Sequence, residues 1–221
     1  MFKQAALRHT RDTLIGLTLA WSAATASAAP LFEQAPLGDG DSYQVMVTSG
    51  VHWADKFSVG GAFSLAGLRW WGGYAGQLDA GDDSFVLRIY SELSNAGTLA
   101  HEFAVGTATR SAAALADLGG NDMYLYEYSL SLPLTLSGGS YFLSIENQGS
   151  SDWLWLQAQA GDGAAWTRLD DPAESWVDYP TDLSFAVLGE RQVTTVPEPS
   201  ALALLGLAGV ALVVARRRHA G

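Results

Sequence analysis

One stretch of the sequence decides the fold class, namely Tyr124-Leu125-Tyr126-Glu127-Tyr128-Ser129-Leu130-Ser131-Leu132. Its large apolar residues recur at every second position from Tyr124 to Leu132. A period of two places them on one face of a β-strand, whereas a helix would repeat them every three or four residues. The stretch therefore predicts a long strand with one face buried in a core.

The same alternation recurs on both sides of this strand, in segments 53–59, 85–90, 141–145 and 183–187. Clusters of Gly, Asp and Asn separate these segments, and such residues favour tight turns. Short strands at this spacing are typical of an antiparallel β-sandwich. We predict an all-β, jelly-roll-like sandwich over residues 29–192. Arg110 to Leu118 is expected to form a short helix or an alanine-rich loop.

The composition excludes several classes of protein. The chain has 221 residues, no cysteine and a net charge of −11. Disulfides, thiolate metal sites and cysteine nucleophiles are thereby ruled out. Residues 29–196 carry six basic and 21 acidic side chains, hence a net charge of −15. That acidity argues against nucleic-acid binding. We expect no cofactor, and no metal site is assigned from the sequence.

The N-terminus has the three parts of a secretory signal peptide. A basic region (Lys3, Arg8, Arg11) is followed by an apolar segment at 14–24 and by small residues at Ala26 and Ala28. We predict a signal peptide over residues 1–28, cut by signal peptidase before Ala29. The alternative is an ordinary amphipathic helix, and the small residues before Pro30 make a poor helix end.

The C-terminus combines a triplet, an apolar run and a basic cluster, in the order Pro197-Glu198-Pro199, residues 200–215 and Arg216-Arg217-Arg218. A helix of 16 uncharged residues is about 24 Å long, somewhat short of the ~30 Å hydrocarbon core. We predict a single transmembrane helix that needs local thinning or snorkelling arginines. The arginines place the C-terminus in the cytoplasm.

This tail, residues 193–221, resembles a PEP-CTERM sorting signal. The resemblance implies that an exosortase, a membrane transpeptidase, recognises the tail through Pro197, Glu198, Pro199 and the three arginines and cleaves near the triplet. The protein would then pass from the inner membrane to the outer surface or exopolysaccharide matrix of a Gram-negative bacterium. A plain tail anchor is the alternative.

The body resembles the all-β ectodomain that precedes sorting tails in many surface proteins. The resemblance rests on segments that recur in order: 54–57, 68–74, 85–90, 126–129 and 139–145. These motifs are of the packing type and imply a fold, without any chemistry.

Tryptophans suggest a second function, carbohydrate binding. Trp153 and Trp155 share one face of a strand beside Asp152, and exposed indoles stack on sugar rings. The alternative for each ring is core packing, where large aromatics contribute much of the burial energy.

Catalytic and metal-binding residues form no recognisable motif. His52 and His101 lack a metal-binding spacing, and the pairing of Asp55 with Glu146 as a glycosidase dyad rests on abundance alone. Acidic turns could hold calcium at Asp39 and Asp41, at Asp79, Asp82 and Asp83, and at Asp170 and Asp171. None matches an EF-hand loop, and solvated turns are the simpler interpretation.

We therefore expect an exported, non-catalytic protein of the cell surface or exopolysaccharide matrix. A carbohydrate-binding module is the alternative, and a small glycoside hydrolase or lyase is the least favoured.

Overall fold

A computed structural model describes residues 30–45, 50–77, 83–106, 108–149, 151–169 and 174–192. The predicted signal peptide, its cleavage residues and the whole predicted sorting tail lie outside these ranges. No helix within the described ranges is both long and apolar enough to cross a bilayer.

The described residues form strands joined by turns and one short 3-10 turn at Ala75–Gln77. In chain order the strands are β1 (Pro30–Gln34), β2 (Ser42–Val45), β3 (Val51–Val59), β4 (Phe63–Tyr74), β5 (Phe85–Glu92), β6 (Thr98–Gly106), β7 (Thr109–Ala116), β8 (Asp122–Leu136), β9 (Gly139–Asn147), β10 (Trp153–Leu156), β11 (Ala165–Leu169), β12 (Val177–Tyr179) and β13 (Phe185–Arg191).

The strands form two sheets in which every pairing is antiparallel. In the seven-stranded sheet β4 is central, with β8 and then β7 on one side. Its other side pairs first with β13 and then with β10, and β1 and β2 lie outside these two strands. The six-stranded sheet has the order β12-β11-β3-β9-β5-β6.

Aromatic rings from both sheets meet in one core. Phe85 of β5 lies 5.2 Å from Trp70 of β4, 5.0 Å from Tyr126 of β8 and 5.3 Å from Trp153 of β10, measured between ring centroids. These contacts join the inner face of the six-stranded sheet to that of the seven-stranded sheet. The prediction of an all-β protein with antiparallel sheets is confirmed.

The alternation in 124–132 is confirmed from Tyr124 to Leu130, and only Leu132 departs from it. Tyr126 is fully buried, and Tyr124 and Tyr128 pack against the same core. Leu132, by contrast, is 80% exposed. The register between β4 and β8 shifts, so that Leu65 pairs with Leu134 while Gly67 pairs with Ser129. The register shift forms a bulge in β8 that ends at Pro133, which has no N–H to donate. The bulge turns Leu132 outward.

Segment 110–118 is neither helix nor loop, which corrects the sequence prediction. Thr109–Ala116 forms β7 and pairs with β8. The outer edge of β8 offers backbone donors and acceptors that must be satisfied, and this pairing outweighs the helix propensity of alanine. A register shift between Ala112 and Leu115 interrupts the ladder, with Ala114 at a φ of 55°.

Candidate functional site

The residues predicted to direct export and sorting lie outside the described ranges. They are Ala26, Ala28 and Ala29 at the N-terminus and Pro197, Glu198, Pro199, Arg216, Arg217 and Arg218 at the C-terminus.

The predicted glycan contact at Trp153 and Trp155 is wrong. Both indoles do share one face of β10, but that face is the inner one, and both are fully buried. Trp155 Nε1 donates a hydrogen bond to Ser184 O at 2.9 Å. Because both indoles are packed in the core between the two sheets, no sugar ring can reach either of them.

Asp55 and Glu146 lie on opposite faces of the six-stranded sheet. The register of β3 against β9 sets Asp55 opposite Leu143 on the inner face of the sheet. Glu146 points to the outer face, where its Oε1 lies 2.6 Å from His52 Nδ1 and also contacts Arg88 Nη1. Burial opposes ionisation of Glu146, but the hydrogen bonds from His52 and Arg88 outweigh it and lower the pKa of Glu146. This ion-paired carboxylate is held as a structural anion.

The other predicted residues have separate surroundings. The His101 ring packs on Phe103 with centroids 4.4 Å apart. Asp83 accepts a hydrogen bond from Tyr74 Oη at 2.6 Å and pairs with Arg110 at 3.2 Å. Asp39 and Asp41 lie in the turn before β2. The other acidic residues proposed as calcium ligands, Asp79, Asp82, Asp170 and Asp171, lie outside the described ranges.

The structure instead brings together three carboxylates from distant parts of the chain. Each of Asp55, Asp162 and Asp182 contributes one oxygen atom to a group in which all oxygens lie within 4.8 Å of one another. Asp55 is on the inner face of β3, Asp162 is in the connection from β10 to β11, and Asp182 precedes β13. Asp55 is fully buried, Asp182 is 9% exposed, and the Asp162 side chain is 35% exposed.

Backbone N–H groups hold these carboxylates in place. Asp55 accepts hydrogen bonds from Lys56 N at 2.5 Å and from Leu183 N at 2.6 Å. Asp182 Oδ1 accepts one from Gly163 N at 2.9 Å. Lys56 Nζ forms an ion pair with Asp162 Oδ2. Main-chain N–H groups therefore hold Asp55 and Asp182, and the Lys56 side chain holds Asp162.

Burial, and after it the negative charges of Asp182 and Asp162, raise the pKa of Asp55 to about 8, although the hydrogen bonds from Leu183 N and Lys56 N lower it. A carboxylate removed from water in this way is stable only with a proton or a nearby positive charge. Beside the cluster lies a groove of about 300 Å³, lined by Gln34, Lys56, Ser58 and Asp162 among others. The site thus combines buried carboxyl groups with an opening to solvent.

Sequence reasoning missed this cluster because no spacing links its members. One signal was present: Asp55 lies on the same strand face as Trp53 and Phe57, so a charge falls among core positions. A buried acid needs a partner, but only the folded chain identifies it.

Comparison with known proteins identifies a sorting motif near the C-terminus of the sequence. Residues 195–218 match the family model described as the PEP-CTERM protein-sorting motif. The chain therefore carries a PEP-CTERM sorting motif, and the motif implies export and processing by an exosortase.

No curated protein matches the chain. Among solved structures, one titled "Structure of infectious bursal disease virus Gt strain" is 11% identical, with a TM-score of 0.21. The match covers 94% of this chain and 53% of that one, so the chain spans about half the length of that protein.

Proposed function

We propose that this protein is an exported, non-catalytic component of the cell surface or exopolysaccharide matrix. Its delivery depends on exosortase-type cleavage of the C-terminal tail. The observation that carries the proposal is the sorting motif at residues 195–218. The motif begins four residues after β13 ends at Arg191, so the tail follows the last strand almost directly.

The arrangement of the body supports a non-catalytic role. The acidic pair that the sequence offered for glycoside hydrolysis is divided between two faces of one sheet, as described above. A hydrolase of that class needs its two carboxyl groups about 5–10 Å apart, on either side of one bond. The large aromatic side chains Trp70, Trp153, Trp155 and Tyr126 serve the core.

The proposed route begins with removal of residues 1–28 by signal peptidase. Residues 200–215 then retain the precursor in the inner membrane, with Arg216 to Arg218 in the cytoplasm. Cleavage near Pro197-Glu198-Pro199 releases the β-rich body. The exosortase is a processing partner in this route, and exopolysaccharide is the proposed environment of the product.

The intact mass of the protein from membrane and extracellular fractions of its native host tests this route. We expect the wild type to lack both ends, and we expect Glu198→Ala to accumulate in the membrane with its tail attached. Glu190→Ala is the matched control, since it removes an exposed glutamate eight residues upstream. Deletion of Arg216 to Arg218 should also retain the tail. Wild-type processing of the Glu198→Ala and arginine-deletion variants would refute the proposed recognition.

A further inference from the structure

Two aromatic side chains remain partly accessible on the outer face of the six-stranded sheet. Phe142 of β9 and Trp166 of β11 meet edge to face, with ring centroids 4.9 Å apart. Both rings pack against a small buried cluster that includes Ala54 and Tyr90. Within the part of the chain that the structure describes, no acceptor bonds Trp166 Nε1, and this atom is accessible to solvent. The pair is thus an apolar surface supported from below, with an available donor at its edge.

Polar side chains border these two rings on the same face of the sheet. Lys56 Nζ lies 5.8 Å from the centroid of the Trp166 ring, and it also forms an ion pair with Asp162. The next row of the sheet carries Ser58 and Ser140, which are exposed and whose hydroxyl oxygens are 2.8 Å apart. The aromatic pair therefore adjoins ammonium, carboxylate and hydroxyl groups.

The groove of about 300 Å³ described above continues this surface. Its lining combines polar side chains with one aromatic ring, namely Lys56, Ser58, Asp162 and Glu33 with Phe32. Because Lys56 borders both the groove and the Trp166 ring, the groove and the aromatic pair form one continuous surface. Binding sites for small ligands begin at about this volume.

We propose that this surface, formed by Trp166, Phe142 and the groove beside Lys56, binds a neutral polysaccharide. A sugar ring has an apolar face of C–H groups, and that face can cover the accessible part of an aromatic ring and remove both from water. Its hydroxyl groups donate to carboxylates and accept from ammonium and indole N–H groups. The inference rests on the proposed matrix function and names the kind of polymer that the protein binds there.

The charges around this surface favour a neutral ligand over an anionic one. The ammonium of Lys56 is already balanced by Asp162. Glu33 in the groove and Asp178, which pairs with Trp166 in the ladder, add exposed carboxylates. A uronic acid would place its own charge beside them, on a body that carries −15 over residues 29–196, whereas uncharged hydroxyl groups form favourable hydrogen bonds with them. The ligand class is therefore a neutral glycan.

Titration of the full chain in detergent with neutral polysaccharides tests the proposal. The probes are dextran, mannan and galactan, and binding is followed by calorimetry and by tryptophan fluorescence. We expect saturable binding of at least one of them, with a Kd of about 1 mM or below. Polyuronate in ~10 mM sodium chloride should not bind. Absence of binding to all three neutral polymers would overturn the inference, and so would tighter binding of polyuronate.

Two tryptophan variants locate the binding surface. Trp166→Ala should lower the affinity about tenfold or more, because the sugar loses the larger of the two rings. Trp71→Ala is the matched control, since it removes a partly buried indole from the outer face of the other sheet, and it should leave the affinity unchanged. Equal losses in the two variants would contradict a site at Trp166.

A milder pair of variants keeps the test decisive if Trp166→Ala does not fold. Ser58→Ala removes an exposed hydroxyl from the groove and should weaken binding about threefold or more. Ser131→Ala removes an exposed hydroxyl from β8 and should not. Wild-type affinity in Ser58→Ala would place the ligand outside the groove and overturn the site. Binding is measured before tail processing, so its failure leaves the sorting route intact, whereas failure of that route appears as altered processing.

Discussion

Asp55 occupies a position at which the alternation of β3 predicts an apolar side chain. Its neighbours on the same face, Trp53 and Phe57, belong to the core. Both Asp55 oxygens accept backbone hydrogen bonds, from Lys56 N and Leu183 N. Desolvation nevertheless dominates, and it holds the pKa of Asp55 at about 8. Folding therefore takes up a proton at this residue.

Removing this carboxyl group should change how stability depends on pH. An unfolded aspartate titrates near pH 4, so between pH ~4 and ~8 the folded state of the wild type holds one proton more. Protonated Asp55 therefore contributes its full stability below pH ~4. This contribution is lost as the pH rises to about 8. Within this window, the free energy of unfolding of wild type should fall by about 1 kcal/mol per pH unit relative to Asp55→Asn.

Urea unfolding followed by tryptophan fluorescence at pH 5 and pH 8 measures this difference. Asp178→Asn is the control, because its carboxylate is exposed, and its profile should run parallel to wild type. Parallel profiles for wild type and Asp55→Asn would show that Asp55 titrates as an ordinary surface acid.

Strand β4 organises the seven-stranded sheet because it pairs with other strands on both sides. Near its end it runs between β8 and β10, and Gly72 pairs with both Tyr124 and Trp155. A Cβ atom on Gly72 would overlap the Trp153 ring and Leu154 O. The ring can turn only into other core side chains, and the carbonyl belongs to a paired strand.

Gly72→Ala should therefore destabilise the protein by overpacking, by about 1–3 kcal/mol or more. Gly60→Ala, in the turn between β3 and β4, is the matched control because no atom lies within 4 Å of its added Cβ. We expect that control to stay within about 0.5 kcal/mol of wild type. Urea midpoints with unchanged m-values measure both effects, and equal midpoints for the two variants would contradict the packing argument.

The period-two pattern predicted where most strands lie. It predicted less well which side chains on those strands are exposed to solvent. It identified the inward face of β3, β5 and the first half of β8, because burial selects apolar residues at alternate positions. It could not say which face of β10 was inward, since Trp153-Leu154-Trp155-Leu156 is apolar on both faces. The strand β7 was missed because its alanines favour a helix locally, and only pairing with β8 overrides that preference.

The carboxylate cluster could not be predicted from the sequence, because it depends on contacts between distant segments. Asp162 carried a turn signal between two glycines, and Asp55 broke an apolar pattern. Neither observation links them to Asp182 or Gln34, because the contact depends on how two sheets and two connecting segments pack. The sorting tail is the opposite case: its parts are contiguous, so the sequence alone suffices, and the family match confirms it.

For the whole molecule, the decisive quantity is the distribution of charge. Half of the twelve basic residues lie in the predicted signal peptide and tail, and residues 29–196 carry −15. Removal of both ends would thus leave a more acidic product than the chain of −11 that is synthesised. Such a body repels anionic polymers at long range, most strongly at low ionic strength, where the screening length is about 30 Å at 0.01 M.

Attachment of the full chain to an anionic polysaccharide should therefore require divalent cations. We expect no retention on immobilised polyuronate in ~10 mM sodium chloride, where repulsion is least screened, and retention when millimolar calcium is added. Neutral dextran is the control and should show no such calcium dependence. Strong retention in sodium alone would show that a local basic or aromatic surface overcomes the net charge, and would contradict the prediction.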